Sequence, residues 1–138
     1  MYDLNRFIKA QENDYERALL EIKNGRKESH WIWYIFPQLK GLGKSNYSEY
    51  FGIDGAGEAI AYMADPILRA RLIEITSALL SLSTNDPVSV LGHIDSKKVR
   101  SCMTLFSEVA PDEQVFKDVL SKFYHEKRDK YTLRILGL

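Results

Sequence analysis

From Leu68 onward, apolar residues recur at Leu68, Leu72, Ile75, Leu79 and Leu82, a spacing that puts all five on one face of a helix. The same period runs through most of the chain. Asp3 is placed to cap a short helix carrying Leu4, Phe7 and Ile8. Asn13 or Asp14 would cap a second with Ala18, Leu19 and Ile22, stopped by Asn24-Gly25. Asp65-Pro66 and Asp86-Pro87 each join an N-cap to a proline at the first helical position. Asp95 or Ser96 opens a helix with Val99, Cys102, Met103, Phe106 and Val109 on one side. Pro111 starts another with Val115, Phe116, Val119, Leu120 and Phe123 inward. A last short helix holds Tyr131, Leu133 and Ile135 and ends at Gly137. Strict two-residue alternation is nearly absent. The run Trp31–Phe36 would be a strand without a partner, so it is read as helix ended by Pro37. The pattern predicts an all-α, compact single-domain bundle over residues 1–138, with about seven to nine helices, several of them short.

Composition narrows the function classes. At 138 residues the chain can build a core without staples, and 45% apolar with 28% charged residues is ordinary globular composition. Nineteen Lys plus Arg balance nineteen Asp plus Glu, so a positive field for nucleic acid would need charges segregated in space. No block of the sequence supplies one. The densest basic stretch, Lys122 to Lys130, contains Glu126 and Asp129 and reads as a solvated face, so nucleic acid is not an expected partner. The single cysteine, Cys102, excludes an internal disulfide and sits on an apolar face as packing. His30, His93 and His125 lack metal-ligand spacing, and no GxxxxGK[ST], GxGxxG or GxSxG motif is present. Neither a metal nor a cofactor is expected. No signal-type segment and no run of about 18 apolar residues occurs, so a cytoplasmic protein without a membrane partner is expected.

The candidate chemistry lies between Gly25 and Gly43, GRKESHWIWYIFPQLKGLG. Arg26, Lys27, Ser29 and His30 lead directly into Trp31 and Trp33, the only tryptophans. If this stretch is helical, Lys27, His30 and Trp31 share a face. Arginine, lysine and imidazole together suit an anion such as phosphate or carboxylate, and an indole can stack on a ring. His30 could act as general acid or base. The plain alternative is a half-buried, hydrogen-bonded histidine beside core tryptophans. The loop Pro37–Gly43, followed by Lys44 and Ser45, either brings backbone N–H groups and Gln38 to a ligand or makes a tight turn. Further on, Lys97, Arg100, Ser101 and Thr104 form a polar stripe. It is expected to face solvent unless Ser101 and Thr104 turn inward beside His30. Lys98 is expected to pair locally with Asp95.

On these residues the chain resembles the bacterial family known as domain of unknown function 1810, small and mainly helical proteins. The landmarks run nearly end to end. They begin with Asp3-Leu4, Phe7, Gln11, Tyr15 and Ala18-Leu19. The distinctive block follows: Gly25-Arg26-Lys27, Ser29-His30-Trp31, Trp33, Phe36-Pro37-Gln38-Leu39, Gly41-Leu42-Gly43 and Ser45. Tyr50 to Ile53 precede a second block at Asp95, Lys98, Arg100-Ser101 and Met103-Thr104-Leu105-Phe106, and a third at Asp129 and Thr132-Leu133. Cys102 stands where the family usually has serine, and Glu126 where it tends to have glycine near the last turn. The resemblance implies a helical fold and a locus, and carries no established activity. The family's polar positions map onto Arg26, Lys27, Ser29, His30, Gln38, Ser45, Lys98, Arg100, Ser101, Thr104 and Asp129.

Three readings stand together. In the first, the domain binds a small anionic ligand, nucleotide-like ones included. Arg26 and Lys27 neutralise it, Trp31 or Trp33 stacks, and Ser29, Gln38, Ser45, Lys98, Ser101 and Thr104 add polar contacts. Hydrolase or transferase chemistry would then use His30. In the second, Trp31, Tyr34 and Tyr47 or Tyr50 form an exposed aromatic patch for a protein partner or for self-association. In the third, the cluster is a buried polar network that fixes helix register.

Overall fold

The chain folds as an all-α domain in the computed structural model, which describes residues 2–138. Nine helices follow one another among the described residues: α1 (Asn5–Lys23), α2 (Ile32–Ile35), α3 (Asn46–Tyr50), α4 (Gly55–Ala64), α5 (Pro66–Leu80), α6 (Pro87–Leu91), α7 (His93–Val109), α8 (Gln114–Tyr124) and α9 (Lys130–Ile135). Both aspartate–proline starts hold. Asp65 accepts from the backbone N–H groups of Ile67 and Leu68 at 3.0 Å, and Asp86 from that of Val88 at 3.0 Å. Leu68, Leu72, Ile75 and Leu79 are buried on α5, and the Lys122 ammonium donates to the carbonyl of its last residue, Leu80, and to that of Leu82 just beyond it.

Several boundaries differ from expectation for identifiable reasons. α1 is one helix where two were expected, because no glycine or proline interrupts Phe7, Gln11, Tyr15, Ala18 and Ile22, which make one buried stripe. Asp14 consequently does not cap; it accepts from the Tyr34 hydroxyl and pairs with Arg17. Asp3 does not cap either, since α1 begins behind Leu4 with no side-chain cap. α7 starts at His93, two residues early, after Gly92 takes a φ of +85°. α8 starts at Gln114 rather than at Pro111. α9 turns Thr132 inward and leaves Tyr131 and Ile135 exposed, because Asp129 caps it and draws Thr132 to its carboxylate.

α7 is the hub, packing against α4, α6, α8 and α9, while α1 packs on α2 and α5. A relay of rings ties these layers: Phe7 meets Tyr62 edge-on at 5.2 Å, Tyr62 meets Phe106 at 5.3 Å, and Phe106 meets Phe116 at 5.8 Å. Cys102 lies in this core, where burial pushes its thiol well above the usual range and leaves it inert. His125 and Glu126 take left-handed φ values of 55° and 64°, so the turn after α8 is closed by two residues that bear the steric cost glycine avoids.

Two joints position the candidate site. At the end of α1, Gly25 takes a φ of +81°, its N–H donates to Ile22 O and that of Arg26 to Glu21 O. This 5→2 and 6→1 pairing turns the chain sharply out of the helix. Further on, Leu39 and Ile53 form a single parallel bridge that closes the glycine loop onto the segment ahead of α4.

Candidate functional site

The residues between Gly25 and Trp31 are not helical. They form a strap that lies back over the end of α1, and α2 covers only Ile32–Ile35. The organiser of the strap is Glu21, which the sequence reading did not single out. Its Oε1 accepts from the Glu28 N–H at 2.8 Å, the Ser29 N–H at 2.9 Å and the Trp31 indole at 2.9 Å. Its Oε2 accepts from the Ser29 hydroxyl at 2.6 Å. Burial works to raise the pKa of this carboxyl, yet the hydrogen bonds from Ser29, Glu28 and Trp31 outweigh it and bring the group down to about 2. One signal for Glu21 was present: it sits three residues after Ala18 in the buried stripe of α1, a charged residue at a core position.

Lys27 is the strap's second anchor. Its ammonium pairs with Asp95 at 2.9 Å, reaches the Ser29 carbonyl and lies 4.8 Å from the Trp31 ring centroid. Asp95 therefore belongs to Lys27, not to Lys98 as expected. The Lys27 N–H also donates to Val90 O at 2.7 Å, tying the strap to α6. Lys27, Ser29 and Trp31 are thus engaged with protein groups, and Trp31 is fully buried. Arg26 and His30 remain exposed. Ser45 caps α3 by accepting the Ser48 N–H at 3.1 Å. Thr104 is buried, donates to Arg100 O at 2.8 Å and accepts the Asp129 N–H at 2.9 Å, which pins the start of α9 to α7.

A different group of residues converges on open space. A cleft of about 390 Å³ lies between the glycine loop, α7 and α9. The loop supplies Gln38, Leu42 and Gly43; α7 supplies Ile94, Lys97, Lys98, Arg100 and Ser101; Asp129 and Tyr131 close the far side. Ser101 does turn inward, but beside Asp129 rather than beside His30. Its hydroxyl donates to Lys97 O at 3.2 Å. Three cations thus face one carboxylate. Asp129 commits one oxygen to the cap of α9 and holds the other 3.9 Å from Arg100. Lys97 and Lys98 have no ion-pair partner among the described residues. Gly43 has a steric reason, since a Cβ there would collide with the Ser48 hydroxyl and crowd Gln38 Nε2 at 3.3 Å.

His30 lies apart from this cleft, in a recess of about 330 Å³ with Trp33, Tyr34 and Tyr47. Trp33 is half-buried and stacks on Tyr47 at 4.7 Å with 25° between planes. Lys98 Nζ stands 5.4 Å from the Trp33 ring, and the Trp33 Nε1 is buried without a hydrogen-bond partner. The aromatic patch expected for a protein partner is corrected here: Trp31 and Tyr34 are buried, and only Tyr47 and Tyr50 are open to solvent. Lys97, Arg100, Asp129 and Tyr131 belong to the cleft although the spacing argument placed no ligand on them. Their nearness to the glycine loop is a product of packing alone.

The comparisons bear on the whole chain. A family model described as "Protein of unknown function (DUF1810)" matches residues 1–136. The conserved hypothetical protein Rv1873 from Mycobacterium tuberculosis, known from a crystal structure, is similar at 36% sequence identity and a TM-score of 0.97. The match covers 99% of this chain and 98% of that one. No curated protein matches this chain. Among the described residues no helix is long and apolar enough to cross a membrane.

Proposed function

We propose that this chain, which belongs to the DUF1810 family of proteins of unknown function, binds a small anion in the cleft between the glycine loop, α7 and α9. One observation carries the proposal: Lys97, Lys98 and Arg100 converge there against the single carboxylate of Asp129, in a chain whose net charge is zero. Cations left unpaired in a concave site are the usual complement of phosphate or carboxylate groups. Gln38 and Ser101 add neutral donors, and Asp129 orients the Arg100 guanidinium. Of the residues expected to hold the ligand, Lys27, Ser29 and Trp31 are occupied within the strap and Ser45 and Thr104 within helix starts.

His30, the candidate for proton transfer, lies in the separate recess with Trp33, Tyr34 and Tyr47, so this proposal gives it no part at the anion. Binding itself is tested by thermal shift with inorganic phosphate, pyrophosphate and small carboxylates, using wild type and a Lys97→Ala/Lys98→Ala variant. A ligand at about a hundred times its Kd adds roughly 2.7 kcal/mol. The expected result is a rise in Tm for the wild type that is lost in the variant. Equal shifts in both proteins, or none in either, would refute the cleft as the binding site.

A further inference from the structure

We infer that the cleft is one end of a longer site and that its ligand is a nucleoside phosphate, the phosphates held at α7 and the base laid against the Trp33–Tyr47 stack. The inference rests on the cleft binding an anion, and adds to it the chemistry of the ligand's other end. Gln38 and Lys98 line the cleft and also a narrow passage beside it, whose lining includes Trp33 and Ser48. Trp33 in turn lines the recess shared with Tyr47 and His30. The three hollows therefore share wall residues, the cationic cleft adjoining the passage through Gln38 and Lys98 and the passage adjoining the aromatic recess through Trp33. The passage itself has room for about one water at 10 Å³. A sugar linking the two ends would cross its mouth, within reach of Gln38.

The aromatic end has the features a base requires. Tyr47 is 58% exposed although it is stacked on Trp33, so a ring can add to the stack from the recess. Lys98 lies between the two ends, lining the cleft while standing over the Trp33 ring. A bare anion would fill the cleft and leave Trp33 and Tyr47 without a role.

The test measures binding by titration calorimetry with three probes: pyrophosphate, ADP and UDP. It uses wild type, Tyr47→Ala and Lys97→Ala/Lys98→Ala. The expected result is that at least one diphosphate nucleoside binds tenfold or more tightly than pyrophosphate and quenches tryptophan fluorescence. Tyr47→Ala should erase that surplus while leaving the pyrophosphate Kd within about twofold. Because Tyr47 is exposed on a single helical turn, its loss should leave the fold intact, which the melting curve checks. If both nucleotides bind no better than pyrophosphate, or Tyr47→Ala changes nothing, the nucleoside assignment is overturned and the anion cleft survives. If no probe binds and the double lysine variant behaves as wild type, the cleft proposal falls too.

Discussion

The strap from Gly25 to Trp31 and the cleft beside α7 have similar ingredients, yet they end in opposite states. In the strap, Glu21 accepts four hydrogen bonds, and Lys27 is paired with Asp95 and roofed by Trp31. Glu21, Lys27 and Ser29 have met their complements inside the protein, while Arg26 and His30 at the strap's surface stay open to solvent. In the cleft, two lysines have none and the arginine has a carboxylate only at 3.9 Å. Polar clusters that satisfy themselves hold a fold together, whereas convergent charges left unsatisfied are available to a ligand. An unusual run of residues in a sequence is therefore ambiguous until its partners are known.

Substitutions on the two sides should separate cleanly. The largest effect is expected at Glu21: Glu21→Ala leaves two backbone N–H groups, a hydroxyl and an indole without an acceptor. It should cost about 3–5 kcal/mol, read by chemical denaturation, with a Tm lower by on the order of 10 °C. A loss below about 1 kcal/mol would break the comparison at its firmest point.

Acid should expose the same group. Glu21 titrates at about 2 when folded against an ordinary 4.5, so its contribution is complete above pH 4.5 and fades as pH falls toward 2. That gap corresponds to about 3 kcal/mol. Denaturation curves between pH 5 and 2 should show this slope in wild type and a shallower one in Glu21→Gln. Parallel curves would mean that the strap's hydrogen bonds do not depend on the charge.

Lys27→Met comes next. It keeps the stem beside Trp31 but leaves Asp95 without its partner, and should cost about 2 kcal/mol while leaving anion binding unchanged. Lys98→Ala is the counterpart in the cleft. Stability should stay within about 0.5 kcal/mol of wild type, while affinity for pyrophosphate falls about tenfold. If Lys98→Ala destabilises as much as Lys27→Met, the cleft is another piece of structure and the distinction between the regions collapses.

Much of the fold was legible in the chain. The stripe of α5, the aspartate–proline starts and the stop at Asn24-Gly25 are local effects, set by neighbours three or four residues away. The missed boundaries were also local in origin. Asn13 and Asp14 are acceptable caps by type, but helix α1 continued because its buried stripe continued. The site was only half legible. Gln38, Lys98 and Ser101 were picked out and do line one cleft, whereas Arg26 and His30 face solvent elsewhere and Lys27, Ser29 and Trp31 serve the strap.

The sequence by itself determined that the chain would be helical and which residues were chemically conspicuous, because periodicity, capping and residue type are properties of short segments. Only the tertiary structure decided what those residues face. Glu21 meets Ser29 and Trp31 because a left-handed glycine folds the strap back, and Lys97 meets Gln38 and Asp129 because α7 packs between the glycine loop and α9. Whether a charge is neutralised or left open depends on contacts between segments distant in the chain, and no local pattern encodes that.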